Sequence, residues 1–189
     1  MKYRVLIFLM SITLIFGCND GNVEKEVPFE KLSSEVTGLN FANSITPNIE
    51  TQENLFDYDY FYNGSGVGIA DINNDGLKDI LFTANQQDNR LFLNKGNLKF
   101  EDITKSSNIN SANKKWSSGV TFADLNNDGW LDVYISQGGP NSPKSRKNLL
   151  LINNQDLTFT EKAEEYGLDD SGISTQSAFF DFDKDGDLD

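Results

Sequence analysis

The chain has 189 residues, 29 of them acidic and 16 basic, no histidine, a single cysteine and a formal net charge of −13. This balance disfavours nucleic acid and other polyanionic partners. The lack of histidine removes the usual general base, the Ser-His-Asp arrangement and most zinc sites, and one cysteine makes neither an intrachain disulfide nor a thiolate cluster.

In chain order, Lys2 and Arg4 precede an apolar run from Val5 to Phe16, interrupted only by Ser11 and Thr13. The run is shorter than the roughly 20 residues a spanning helix needs, and with its basic start it reads as an export signal. Its boundary, Ile15-Phe16-Gly17-Cys18, resembles the lipobox of bacterial lipoproteins, in which the cysteine is lipidated. An ordinary signal peptide with an incidental cysteine is the alternative. The expected organisation is a lipoprotein signal peptide over 1–17, a polar tether over 18–27 and repeats over 28–189. Cys18 is then a lipidation site, and the protein is exported to a bacterial outer membrane or cell surface on a lipid anchor.

Three nonamers organise the rest: Asp71–Asp79, Asp124–Asp132 and Asp181–Asp189, beginning 53 and 57 residues apart. Each places side-chain oxygens at positions 1, 3, 5 and 9 and glycine at 6. These are Asp71, Asn73, Asp75 and Asp79 in the first loop and Asp124, Asn126, Asp128 and Asp132 in the second. The third has Asp181, Asp183, Asp185 and Asp189. Position 7 (Leu77, Trp130, Asp187) supplies a backbone carbonyl. A hard cation such as calcium takes six to eight oxygens, and glycine permits the tight turn between them. Three calcium sites are therefore expected, the third with the most carboxylate.

Each loop follows small and apolar residues: Gly66-Val67-Gly68-Ile69-Ala70, Gly119-Val120-Thr121-Phe122-Ala123 and Ser177-Ala178-Phe179-Phe180. The first two loops precede strand-like runs, Ile80–Thr83 and Val133–Ser136. A second block recurs at an offset of 59: Asn89-Arg90-Leu91-Phe92-Leu93-Asn94 with Phe100, and Asn148-Leu149-Leu150-Leu151-Ile152-Asn153 with Phe159. The segment opening at Phe100 has a fainter echo at Phe29. The unit is strand, metal loop, strand, turn, strand, turn, strand, with a longer loop around Gly138-Gly139-Pro140 in the second copy. Helix is expected only as a turn or two near Glu161–Tyr166. Four-stranded units repeating at this period usually pack radially as propeller blades, with a sandwich as the alternative.

Other chemistries fit less well. Gly64-Ser65-Gly66-Val67-Gly68 has the look of a phosphate loop, but a metal loop rather than a helix follows, so a close-packed inner strand is expected. Regular recurrence around glycine suits ligands better than a glycosidase acid and base. A helical calcium hand is disfavoured because position 12 holds Phe82 and Ile135 where a bidentate glutamate is needed. Lys144, Arg146 and Lys147, beside Pro140 and Pro143, read as a solvated loop.

The nonamer between a Gly-Val strand and an Ile/Val-rich strand resembles the FG-GAP or VCBS repeat of integrin-alpha-type propellers. The Asn-x-Leu-Phe-Leu-Asn block, with its downstream Phe-Glu-Asp-Ile-Thr, is similar to the UnbV and cartilage-acidic-protein group. So is Phe179–Asp189. The resemblance covers about residues 28–189 and implies a seven- or eight-bladed all-β propeller with calcium in hairpin loops, of which about two and a half blades fit here. It implies surface placement and no single activity. The expected function is a calcium-binding, lipid-anchored cell-envelope module that binds a protein or glycan or acts as a scaffold. The alternative is a polysaccharide-active lyase or hydrolase on the same frame. Tyr58, Tyr60, Phe61, Tyr62, Trp116 and Trp130 are candidates for stacking on sugars, or else packing residues.

Overall fold

The computed structural model describes residues 29–110, 116–140 and 142–189. The expected signal peptide, Cys18 and the tether lie outside the described residues. Branched and aromatic runs form eight strands. The first four are β1 (Val67–Ala70), β2 (Asp79–Phe82), β3 (Arg90–Asn94) and β4 (Phe100–Asp102). The second four are β5 (Trp116–Ala123), β6 (Asp132–Gly138), β7 (Leu149–Asn153) and β8 (Phe159–Glu161). They make two four-stranded antiparallel sheets in sequential order, β1-β2-β3-β4 and β5-β6-β7-β8. Both registers start alike: Ala70 faces Asp79 across the first loop, and Ala123 faces Asp132 across the second. The offsets of 53 and 59 read from the sequence thus map onto strand positions.

The sheets bury one face against each other. Leu81, Leu91, Leu93 and Ile103 from the first meet Val120, Val133, Ile135, Leu149 and Leu151 from the second. Each fully buried leucine here contributes about 1.5–3 kcal/mol. The other face of the second sheet, with Tyr134, Leu150 and Ile152, packs on Ala163, Leu168 and Phe179. Every residue of β6 and β7 is accordingly buried, whereas β1 alternates, leaving Val67 and Ile69 exposed. Two faces covered give a continuous apolar run; one gives alternation.

The innermost strands approach closely. A side chain added at Gly66 would meet the Ser118 carbonyl at 2.5 Å, and one at Gly68 would meet Phe122 at the same distance. A bulge between Ser117 and Val120 turns Gly119 toward the third unit, where the Thr175 carbonyl would lie 2.5 Å from an added Cβ. Bulges bend a strand and re-aim its residues. Gly64–Gly68 therefore leads into a close-packed inner strand, as the sequence suggested. Residues 174–177 run beside β5, with Thr121 Oγ1 donating to the Ser177 carbonyl at 2.8 Å and Ser174 N–H to the Gln137 carbonyl at 2.9 Å. The close approach of the inner strands β1 and β5 is consistent with propeller blades.

Helix is confined to short pieces. Helix α2 (Ala163–Tyr166) falls where the sequence placed a turn or two and ends at Gly167 with φ 69°. Helix α1 (Ser34–Thr37) was not expected; it follows the Phe29 echo at a similar spacing and ends at Gly38 with φ 82°. Upstream of β1, Phe41 stacks on Phe82 of β2 with centroids 4.9 Å apart.

Candidate metal centres

The first two nonamers are β1–β2 and β5–β6 hairpin loops, and their internal bonds are copies of one another. Positions 4 and 6 take left-handed backbone: Asn74 and Gly76 have φ 56° and 86°, Asn127 and Gly129 have 58° and 85°. Asparagine tolerates this region and glycine favours it, which is why these residue types stand there. The resulting curl turns side-chain oxygens inward. In the first loop the Asp75 N–H reaches Asp71 Oδ1 at 3.1 Å and Asn73 Oδ1 at 3.3 Å, so the oxygens of positions 1 and 3 converge on one point. In the second, Asp128 N–H reaches Asp124 Oδ1 at 3.0 Å and Asn126 Oδ1 at 3.1 Å. Gly76 and Gly129 N–H each donate to the position-1 carboxylate at 2.8 Å. Leu77 and Trp130 N–H donate to the position-5 carboxylates at 2.8 and 2.9 Å.

Position 9 is built differently. Asp79 and Asp132 are buried, 1% and 0% exposed. Asp79 accepts Ile72 N–H at 3.0 Å on one oxygen and Asn94 N–H at 2.8 Å on the other. Asp132 accepts Leu125 N–H at 3.0 Å and Asn153 N–H at 2.8 Å. Each carboxylate therefore closes its loop and ties it to the third strand of its own sheet. Burial pushes both carboxyls above the ordinary carboxylate range; the N–H bonds oppose this, and the charges at positions 5 and 1 add to it. At the exposed position 5 the direction reverses. Asp75 and Asp128 are lowered by the N–H of Leu77 and Trp130, then by Asn73 and Asn126.

The third loop is open. Oxygens of Asp181, Asp183 and Asp189 all lie within 4.8 Å of one another. Asp189 accepts Phe182 N–H at 2.8 Å, repeating the position-2 half of the clamp. Lys184 stands at position 4 with φ 64°, where the other loops have asparagine. Asp187 is pushed up by its contact with Asp185, and Asp185 is lowered by the Asp187 N–H. Among the described residues only the third loop gathers three carboxylates around one centre; in the first two the oxygens of positions 1 and 3 converge while the position-9 carboxylate accepts backbone N–H groups. Such all-oxygen donors suit a hard divalent cation. Residues 1, 3, 5 and 9 would hold it by side chain and residue 7 by carbonyl, and the ion would neutralise their mutual repulsion.

The asparagines of the second repeated block carry a role that the spacing did not disclose. Asn89 Oδ1 accepts the Ala84 N–H at 2.9 Å, and Asn148 Oδ1 accepts the Gln137 N–H at 2.7 Å; both pin the far end of the second hairpin. Asn94 and Asn153 donate through Nδ2 to position 8 of their loops, at 2.8 Å to Lys78 and 3.1 Å to Leu131. Their recurrence at offset 59 was the available signal. Of the aromatics, Phe61 and Trp116 are buried, with ring centroids 5.5 Å apart, and Tyr58 packs on Trp116. Tyr60 and Tyr62 remain exposed. Arg90 pairs with Asp102 at 3.1 Å, and Lys147 pairs with Asp169.

Residues 71–135 match the FG-GAP-like repeat family, a span running from the first nonamer loop into β6. The chain is 30% identical over 170 residues to cartilage acidic protein 1 of Xenopus tropicalis, covering 89% of this chain and 25% of that protein. It thus carries an FG-GAP-like repeat and shows distant homology to cartilage acidic protein 1 over most of its length, while spanning about a quarter of that relative.

Proposed function

We propose that the two sheets and the third loop are blades of a calcium-dependent β-propeller, exported to the cell envelope, lipid-anchored through Cys18 and serving as a binding or scaffold module for a protein or glycan. The observation that carries this reading is the recurrence of one oxygen network in the first two loops. The bonds from positions 1, 3, 5 and 9 agree between them to within a few tenths of an ångström. Chance acidity does not reproduce a network bond for bond. Calcium is favoured over magnesium because magnesium demands octahedral geometry and sheds water reluctantly.

Calorimetric titration of the chain with calcium tests the reading. Asp128→Ala is expected to bind one ion fewer than wild type, and equal stoichiometry would falsify the ligand assignment. The anchoring part is tested by labelling with a fatty-acid probe in a bacterial host. Cys18→Ser is expected to abolish the label, and labelling unchanged by that substitution removes the anchor from the proposal.

A further inference from the structure

We infer that two asparagines, Asn153 and Asn74, act as positioning residues that join the first two loops into one coupled cation-binding unit; this rests on the metal reading above. Asn153 is 3% exposed and uses its whole side chain. Its Nδ2 donates to Leu131 of the second loop at 3.1 Å and also to the Ile72 carbonyl of the first at 2.8 Å. Its Oδ1 accepts the Gln155 N–H at 2.9 Å, while Gln155 Nε2 reaches Asp128 Oδ2 at 3.3 Å. Its own N–H holds Asp132, and Ile72 N–H holds Asp79. The two buried position-9 carboxylates are therefore linked through Ile72 and Asn153. Asn74 makes a second link: its Nδ2 donates to the Gly129 carbonyl at 3.1 Å, and Gly129 N–H holds Asp124.

A cation in either loop draws its carboxylates to fixed positions, and rigid links carry that ordering to the neighbour. A second ion then meets a site already ordered, which gives positive coupling, equal in both directions. Trp130, at position 7 of the second loop, supplies a probe; because Asn74 touches Gly129 beside it, the emission of the second loop is taken as the part that Asp128→Ala abolishes. Terbium bound there is sensitised by excitation of that indole, whereas the first loop has Leu77 at the same place and Trp116 sits in the core.

The experiment titrates the full chain with terbium and reads tryptophan-sensitised emission, in wild type and in Asp75→Ala, which disables the first loop. Asp75→Ala is expected to weaken terbium binding at the second loop about fivefold or more. The titrations are repeated in Asn153→Ala and in Asn74→Gly, where glycine suits the left-handed backbone and the fold is kept. In either background the effect of Asp75→Ala is expected to fall by at least half. A purely through-space charge effect survives removal of the links, so an undiminished effect in both backgrounds overturns the inference. An unchanged second-loop affinity in Asp75→Ala also overturns it and leaves the metal reading standing. No sensitised emission in wild type overturns both. Should Asn153→Ala fail to fold, the surface variant Asn74→Gly decides alone.

Discussion

Two aspartates of the second loop share one ligand pattern and differ in how each is held. Asp132 is buried and accepts two backbone N–H groups, one from Leu125 and one from Asn153 on the neighbouring strand. Asp128, at position 5, is exposed and accepts the Trp130 N–H of its own loop at 2.9 Å. The one is committed to the sheet, while the other stays at the surface, where Gln155 Nε2 reaches it at 3.3 Å. Position 9 thus has a role that a ligand pattern alone does not show: it fastens a hairpin to its sheet.

The largest test of that distinction is truncation at position 9. Asp132→Ala leaves two buried N–H groups without partners, each costing about 1–3 kcal/mol. Denaturant unfolding in the absence of metal is expected to show a loss of about 3 kcal/mol or more for Asp132→Ala, against about 1 kcal/mol or less for Asp128→Ala. Equal losses would erase the contrast drawn here.

A smaller effect is expected from pH. Asp79 and Asp132 are raised in the folded protein, so in the absence of metal the folded state binds protons more readily than the unfolded chain just above the ordinary carboxylate range. Stability then falls as pH rises through that window. Asp75 and Asp128 are lowered, so their contribution is present above the ordinary range and lost as pH falls through their depressed values. Metal-free stability is expected to show a shallow maximum near the ordinary carboxylate range, measured by denaturation from pH 3 to 7. Saturating calcium favours the ionised carboxylates and should move the maximum upward. A maximum that stays in place with calcium breaks the link between position 9 and the cation.

The smallest test sharpens the comparison at position 4. Lys184 holds left-handed backbone where Asn74 and Asn127 stand in the other loops. That region costs an ordinary residue about 1–2 kcal/mol, less for asparagine. Lys184→Asn is expected to stabilise the third loop by under about 1 kcal/mol and to slow its amide exchange. No change in exchange at Asp185–Asp187 removes the strain argument.

Much of this was readable before any coordinates. The nonamers, the strands beside them and the offset block were visible because each is local: a glycine turn, a run of branched residues, a repeated spacing. The roles of Asn94 and Asn153 were not, because each is defined by contact with a loop 16 or 22 residues away, and the Asn153 bond to Ile72 spans 81. Ser177–Phe180 was expected as a strand and has no strand assignment. In the first two units the equivalent strand pairs with the one after position 9, and 174–177 instead meets β5 largely through side chains. The packing of Phe61 and Trp116 could not be told from sugar stacking by composition, since both uses ask for the same residue type.

The sequential strand order carries a consequence for assembly during synthesis. Each sheet is a run of hairpins in which every strand pairs with its predecessor, so little loop-closure entropy opposes its formation. A nascent chain has all the ladder partners of the first sheet once Asp102 has emerged. It still lacks Val133, Ile135, Leu149 and Leu151, against which Leu81 and Leu91 are buried. Until the second sheet is in place the first has a bare apolar face, and such a face is prone to aggregation.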